Sequence, residues 1–273
     1  MYGFCLLRAG KLKEADEQLS KAFALDPKMP RTLMNLASAK ESEGQLPAAI
    51  DLLEQFLKVY PNGEYAVKAK QRLEALKIEM TRREGEGGSV GKPDYFSEAT
   101  APGVARWADS YMPMKIFIAP ASEVKSYKPA FANALREAFK QWVDASGGAI
   151  SVRYVDAPSA DGVTCSFIDD PHQISNPTEG GEARISFDSS GIIRKARLKI
   201  CTQNSATGTP EEGDLVKNLC LHEVGHILGL TNHSSDNHDV MFGFRAYPAN
   251  TKLSDRDKAT IRKLYAQQSK AQQ

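Results

Sequence analysis

Two histidines stand four residues apart, with a glutamate beside the first, in His222-Glu223-Val224-Gly225-His226, and Gly229 and His233 follow. On a helix this spacing places both imidazoles on one face, with β-carbons roughly 5–6 Å apart, close enough for one metal ion to bridge them. Residues Leu215 to Leu230 read as that helix. Gly229 stands where the chain must turn sharply and benefits from a residue free to take positive φ. His233 then lies on the returning chain, able to supply a third nitrogen. Glu223, one residue past the first histidine, is left off the metal and can take a proton from an attacking water. The expected site is therefore one zinc ion on His222, His226 and His233, with Glu223 as general base.

The first third of the chain has a different grammar. Gly10, Leu12, Ala15, Leu19, Leu25 and Pro27 are echoed by Gly44, Leu46, Ala49, Leu53, Val59 and Pro61, each 34 residues later. Ala15 and Ala49 stand where two helices need a small residue to pack closely. The pattern resembles the tetratricopeptide repeat, which implies helical hairpins and a concave surface for a protein partner. An unrelated helical bundle is the competing interpretation. Ala66, Ala69, Leu73, Leu76 and Met80 have helical spacing and read as a helix capping the stack. In the repeat frame the first unit is truncated, so the expectation is that native residues precede Met1, which leaves room there for an export signal that Met1 to Gly10 is itself too short and interrupted to supply.

Residues 81–94, rich in glycine and charge, read as a flexible linker between a repeat region at 1–80 and a second domain at 95–273. In that second domain Lys115–Ala119, Ile150–Val155 and Val163–Ile168 read as strands and Pro129–Ser146 as an amphipathic helix. Arg184–Phe187 and Ala196–Cys201 form a hairpin about the turn Asp188-Ser189-Ser190-Gly191. The fold class expected is α+β, with N-terminal all-α hairpins followed by an α/β domain whose helices lie against a sheet.

The second domain resembles the metzincin zinc peptidases, and within them the matrixins. The zinc helix is followed by a third histidine, by Ser234-Ser235, and by Met241 in Asp239-Val240-Met241-Phe242. Arg106-Trp107, Met112-Pro113, the Phe131 to Trp142 helix, and the closing pattern Leu253-Ser254, Asp257, Ile261, Leu264-Tyr265 also look like matrixin features. The resemblance implies a mostly parallel twisted sheet and a methionine packed beneath the metal. It also implies an extended substrate lying along an edge strand, here Arg184–Phe187, with 242–250 walling a side-chain pocket. Three departures stand out. The family's third histidine falls at Asn232, one position before His233; His233 is preferred because an imidazole binds zinc well and an amide oxygen poorly. No tyrosine lies two residues after Met241. Only His172 and His238 remain outside the motif, too few for a second, structural zinc, and both read as solvated loop residues. Cys5 sits in a repeat, and nothing before Tyr95 resembles a cysteine-switch propeptide.

The function expected is a zinc-dependent endopeptidase with repeats that bind substrate or a partner protein. The alternative is a repeat-based adaptor whose zinc domain is inactive, a reading that the intact Glu223 disfavours. Lys and Arg number 35 against 34 Asp and Glu, so overall charge points to no nucleic-acid partner, and no apolar run approaches a membrane span. The family resemblance leans toward an extracellular or cell-envelope location if an upstream segment is missing. The four scattered cysteines read as buried thiols, with a Cys165–Cys201 bridge as the alternative in an oxidising compartment.

Overall fold

The computed structural model describes residues 2, 3, 6, 11–63, 65–67, 69–70, 72–74, 76–77, 80, 92–101, 103–175, 179–203, 213–243 and 249–266. The chain divides into an N-terminal helical unit and a second unit built on a sheet. Cys5, most of the first ten residues and 81–91 of the expected linker lie outside the described residues.

In the first unit α1 (Leu12–Leu25), α2 (Pro30–Ser42) and α3 (Leu46–Val59) follow one another through short turns. The described residues between 65 and 80 are helical as well. Pro30 and Pro47 sit in the first turns of their helices, where a missing N–H costs nothing. Gly44 takes φ +73° in the α2–α3 turn. The repeat positions carry the core: Ala15, Ala49, Leu19 and Leu53 are buried together with Leu33, Leu46, Phe56 and Leu76. Leu25 and Val59, at the helix ends, are instead exposed. Glu41 is buried and paired with Arg72, 2.6 Å away.

The second unit holds a six-stranded sheet: β1 (Arg106–Trp107), β2 (Met114–Ile118), β3 (Val152–Tyr154), β4 (Gly162–Ile168), β5 (Gly181–Phe187) and β6 (Ile192–Cys201). Its order is β1-β6-β4-β2-β3, all parallel, with β5 antiparallel on β6. Among the described residues three long helices complete the unit, α4 (Pro129–Ala145), α5 (Gly213–Ile227) and α6 (Asp255–Ala266), with a single helical turn at Phe96–Ala99. Phe131, Leu135, Phe139 and Trp142 of α4 form one continuous core with Ala196, Leu198 and Ile200 of β6 and Val224 and Ile227 of α5. Each such large side chain taken out of water contributes on the order of 1.5–3 kcal/mol. The strand expected at 150–155 shortens to Val152–Tyr154, because the Ile150 N–H is taken by Ser146 Oγ at the end of α4. In the β5–β6 turn Asp188 accepts hydrogen bonds from the N–H groups of Ser190 and Ile192, and Gly191 supplies φ +78°.

The register rules out a Cys165–Cys201 bridge. Cys165 pairs with Leu198 and Cys201 with Ile168, three positions along, so their side chains leave opposite faces of the sheet. Cys165 belongs to the main core, whereas Cys201 packs with Ile168 and Ile174 on the other side.

Candidate metal centre

Helix α5 ends in a tight hydrogen-bonded reversal that positions the site. The Leu230 N–H reaches back to Gly225 O (3.1 Å) and the Gly229 N–H to His226 O (3.0 Å), with Gly229 at φ +104°. This is the Schellman pattern, and it requires glycine at the left-handed position. A side chain on Gly229 would also run into the Ala105 carbonyl. The remaining carbonyls at the helix end are satisfied from afar: Trp107 Nε1 donates to Ile227 O (2.9 Å) and Tyr265 Oη to Leu228 O (3.0 Å). Helix end, β1 and α6 are thereby tied together, as buried polar groups demand.

His222, His226 and His233 form the one cluster of potential metal-ligating side chains among the described residues, their candidate ligand atoms within 4.8 Å of one another. The ring of His233 lies 5.2 Å from that of His222 and 5.1 Å from that of His226. His222 Nδ1 contacts Val240 O at 2.9 Å and His226 Nδ1 contacts Leu230 O at 2.5 Å. A carbonyl can only accept, so both Nδ1 atoms carry the proton and both Nε2 atoms are bare in the neutral rings. Those two Nε2 atoms face each other at 3.1 Å. Two lone pairs at this distance repel unless a cation lies between them. Zinc–nitrogen bonds of about 2.0–2.1 Å in a tetrahedral arrangement put neighbouring nitrogens roughly 3.3 Å apart, so the donor set fits. Burial pushes the imidazole pKa of His222 down, and burial with the neighbouring His222 brings that of His226 to about 3, which keeps both neutral and able to bind metal.

Asn232, the position where the family's third histidine falls, turns its side chain back to accept the His233 N–H at 3.0 Å, and its own N–H donates to Ala99 O. The extra residue is thus absorbed in the turn, and His233 joins the other two rings.

Met241 is fully buried. The space a side chain on Gly225 would need is filled by Met241 Sδ, with Trp142 Cζ2 next at 3.1 Å. Ser234 N donates to Met241 O (2.8 Å), which joins the segment after His233 to the methionine turn. Behind that turn lies a buried polar network. Asp257 accepts hydrogen bonds from Tyr95 Oη, from Val240 N (3.0 Å) and from Ser254 N (2.7 Å). Ser254 Oγ accepts in return from Asp257 N, a reciprocal cap on α6. Asp239 is held by Ser234 Oγ, Ser254 Oγ and Arg256. The backbone of Val240 therefore donates its N–H to Asp257 and accepts at its carbonyl from His222.

Glu223 is almost fully buried, and it lies against the start of β5: a β-carbon on Gly181 would stand 2.8 Å from both its Cγ and its Oε1. The edge strand thus begins beside the carboxylate. His172, in the short 3-10 helix Pro171–Gln173, and His238, in a turn, are both exposed, each bonded to the aspartate two residues before it, and neither belongs to the cluster. Sequence reasoning did not single out Gly181, Gly225 or the acceptor carbonyls of Val240 and Leu230. A glycine inside the helix, at 225, was the available signal.

A twisted, mostly parallel sheet with one antiparallel strand, backed by a helix that carries paired histidines above a methionine turn, is the architecture of a metzincin-type metallopeptidase domain. The Matrixin family model matches residues 106–266, more than half of the chain, and the chain belongs to that family. A Tetratricopeptide repeat model matches residues 6–73, so the N-terminal helices are repeats of that kind. No curated protein matches the sequence.

Proposed function

We propose that the chain is a zinc-dependent endopeptidase in which His222, His226 and His233 hold the metal and Glu223 is the general base. The observation that carries this reading is the pair of bare Nε2 atoms 3.1 Å apart, with both Nδ1 protons committed to backbone carbonyls. Zinc, when held there, supplies the Lewis acidity that polarises a peptide carbonyl. Glu223 takes the proton from the water whose oxygen attacks the carbonyl carbon. It returns that proton to the amide nitrogen as the C–N bond breaks. Val240 O and Leu230 O fix ring orientation, and burial around Met241 keeps solvent from beneath the rings.

Substrate recognition follows from the edge strand. Cys201 N donates to Gly180 O and Thr202 N to Ile168 O, so by alternation Glu182, Arg184 and Ser186 bond to β6. Gly181, Ala183 and Ile185 then turn their N–H and C=O groups to the open side, where an extended peptide can add as a further strand. The repeats would bind a partner protein or part of the substrate, and we place the division between the two domains in the segment 81–94. Asp94, its last residue, pairs with Lys263 at 2.9 Å.

The experiment is hydrolysis of an unfolded protein by the full chain, before and after a chelator and on return of zinc, alongside Glu223→Ala. Activity that is lost to chelator, restored by zinc and reduced on the order of 10²-fold or more in Glu223→Ala supports the peptidase. A chain that binds zinc but hydrolyses nothing supports the adaptor reading.

A further inference from the structure

The sheet face opposite α4 and α5 carries cations in rows. The register sets Arg153 beside Lys115 and Arg197 directly across from Arg184, while Lys195 and Lys199 flank Arg197 on the same face of β6. Like charges directly opposite one another destabilise a sheet unless something neutralises them. Part of the charge is neutralised internally: Lys115 pairs with Asp161 at 2.8 Å and Arg184 with Glu182 at 2.9 Å. Arg153, Lys195 and Arg197 ion-pair with none of the described acids. The chain as a whole is only +1, so this is a local concentration of positive charge.

The rows run up to β5, which pairs only with β6 among the described residues. A strand added on its open side, about 4.8 Å away, would project alternate side chains onto the same face as Arg184, and Arg197 lies one further strand inward. We infer that this face and the β5 edge together form a docking surface for an extended acidic polypeptide, with Asp or Glu at alternate positions. The inference rests on the peptidase reading and names its substrate class. The ligand is a polypeptide because the open N–H and C=O groups of Gly181, Ala183 and Ile185 are met by main chain and not by a glycan or a lipid. It is not single-stranded nucleic acid, because Phe117 is the one aromatic ring that the register places on these rows, too few for a stacking platform. In antiparallel pairing, the stronger arrangement per residue, the peptide runs toward Gly181 and Glu223, so the acidic stretch precedes the cleaved bond.

The test is fluorescence anisotropy on the full-length Glu223→Ala chain, which binds without turnover. The probes are labelled peptides alternating Thr with Glu, or Thr with the neutral isostere Gln. The Glu peptide is expected to bind about tenfold more tightly or better. That contrast should shrink when salt rises from about 25 mM to about 500 mM. The double variant Lys195→Ala/Arg197→Ala should lose most of it, with an unchanged melting curve. Arg197→Lys, which keeps the charge, should retain it, and Arg197→Gln alone should lower it if the double variant melts early. Equal affinity for the two peptides overturns the inference, as does a contrast that survives the charge-removing variants. So does tight binding of a sulfated polysaccharide or single-stranded DNA with none of the acidic peptide. A wild-type chain that hydrolyses the Gln peptide while the binding contrast is absent leaves the peptidase standing and sinks this inference alone. A chain that hydrolyses nothing leaves the binding result still decisive.

Discussion

The sulfur of Met241 occupies the space in which a side chain on Gly225 would lie. Gly225 stands one residue before His226 on α5, so the methionine and the helix meet beside a candidate metal ligand. In an ordinary helix, replacing glycine by alanine gains about 1 kcal/mol. Here Gly225→Ala should instead destabilise the chain by roughly 1–3 kcal/mol, because a buried methionine and Trp142 must both move. It should also weaken zinc binding. Chemical denaturation with a zinc titration checks this; a stabilised variant with unchanged zinc affinity would show that the contact is loose.

Gly181 has the same relation to Glu223. A valine there would stand against the carboxylate, and Gly181 has no positive φ to complicate the change. Gly181→Val should fold and keep its zinc while peptide hydrolysis falls by about tenfold or more, since a small misplacement of a catalytic group can cost up to about 10²-fold. Metal analysis alongside kcat/KM decides it, and wild-type kcat/KM would place Glu223 elsewhere during turnover.

These contacts explain what the sequence could and could not disclose. The helix expected at 215–230 was legible because His222, His226 and Gly229 are local signals, although it spans Gly213–Ile227 and its expected last turn is taken by the reversal at Gly229 and Leu230. The repeats were legible because positions such as Ala15 and Ala49 recur at a fixed offset. The hairpin was legible from Asp188 to Gly191. The acceptors that orient the imidazoles are backbone carbonyls, Val240 O and Leu230 O, which carry no residue identity to read. Tyr95 and Asp257 meet across 162 residues, and no periodicity announces such a contact. The one-residue displacement of the third histidine was visible, but its accommodation depended on the Asn232 side chain folding back on His233 N.

Asp239 gives the stability a distinctive pH dependence. Burial and the neighbouring Asp257 hold its carboxyl up at about 6, against the hydroxyls of Ser234 and Ser254 and the charge of Arg256. The unfolded value is about 3.9, so between the two the folded state binds more protons than the unfolded one. The stabilising contribution is full below the unfolded pKa and is lost as pH rises through about 6. Asp239→Asn lacks it. Melting curves in chelator, taken from about pH 4.5 to about pH 7.5, should show the variant-minus-parent Tm difference moving in the variant's favour with rising pH. A difference independent of pH would mean that Asp239 stays ionised throughout.

The central claim is that His233, and not Asn232, completes the metal centre with His222 and His226. Zinc content of the full chain after equilibration against a weak chelator, measured for the parent, His233→Ala and Asn232→Ala, tests it most directly. The account predicts near one zinc per chain in the parent and in Asn232→Ala, whose loss is a turn contact usually costing no more than about 1 kcal/mol. It predicts that His233→Ala loses most of its zinc, since two imidazoles alone hold the ion weakly. The reverse order, with Asn232→Ala stripped and His233→Ala loaded, would contradict it.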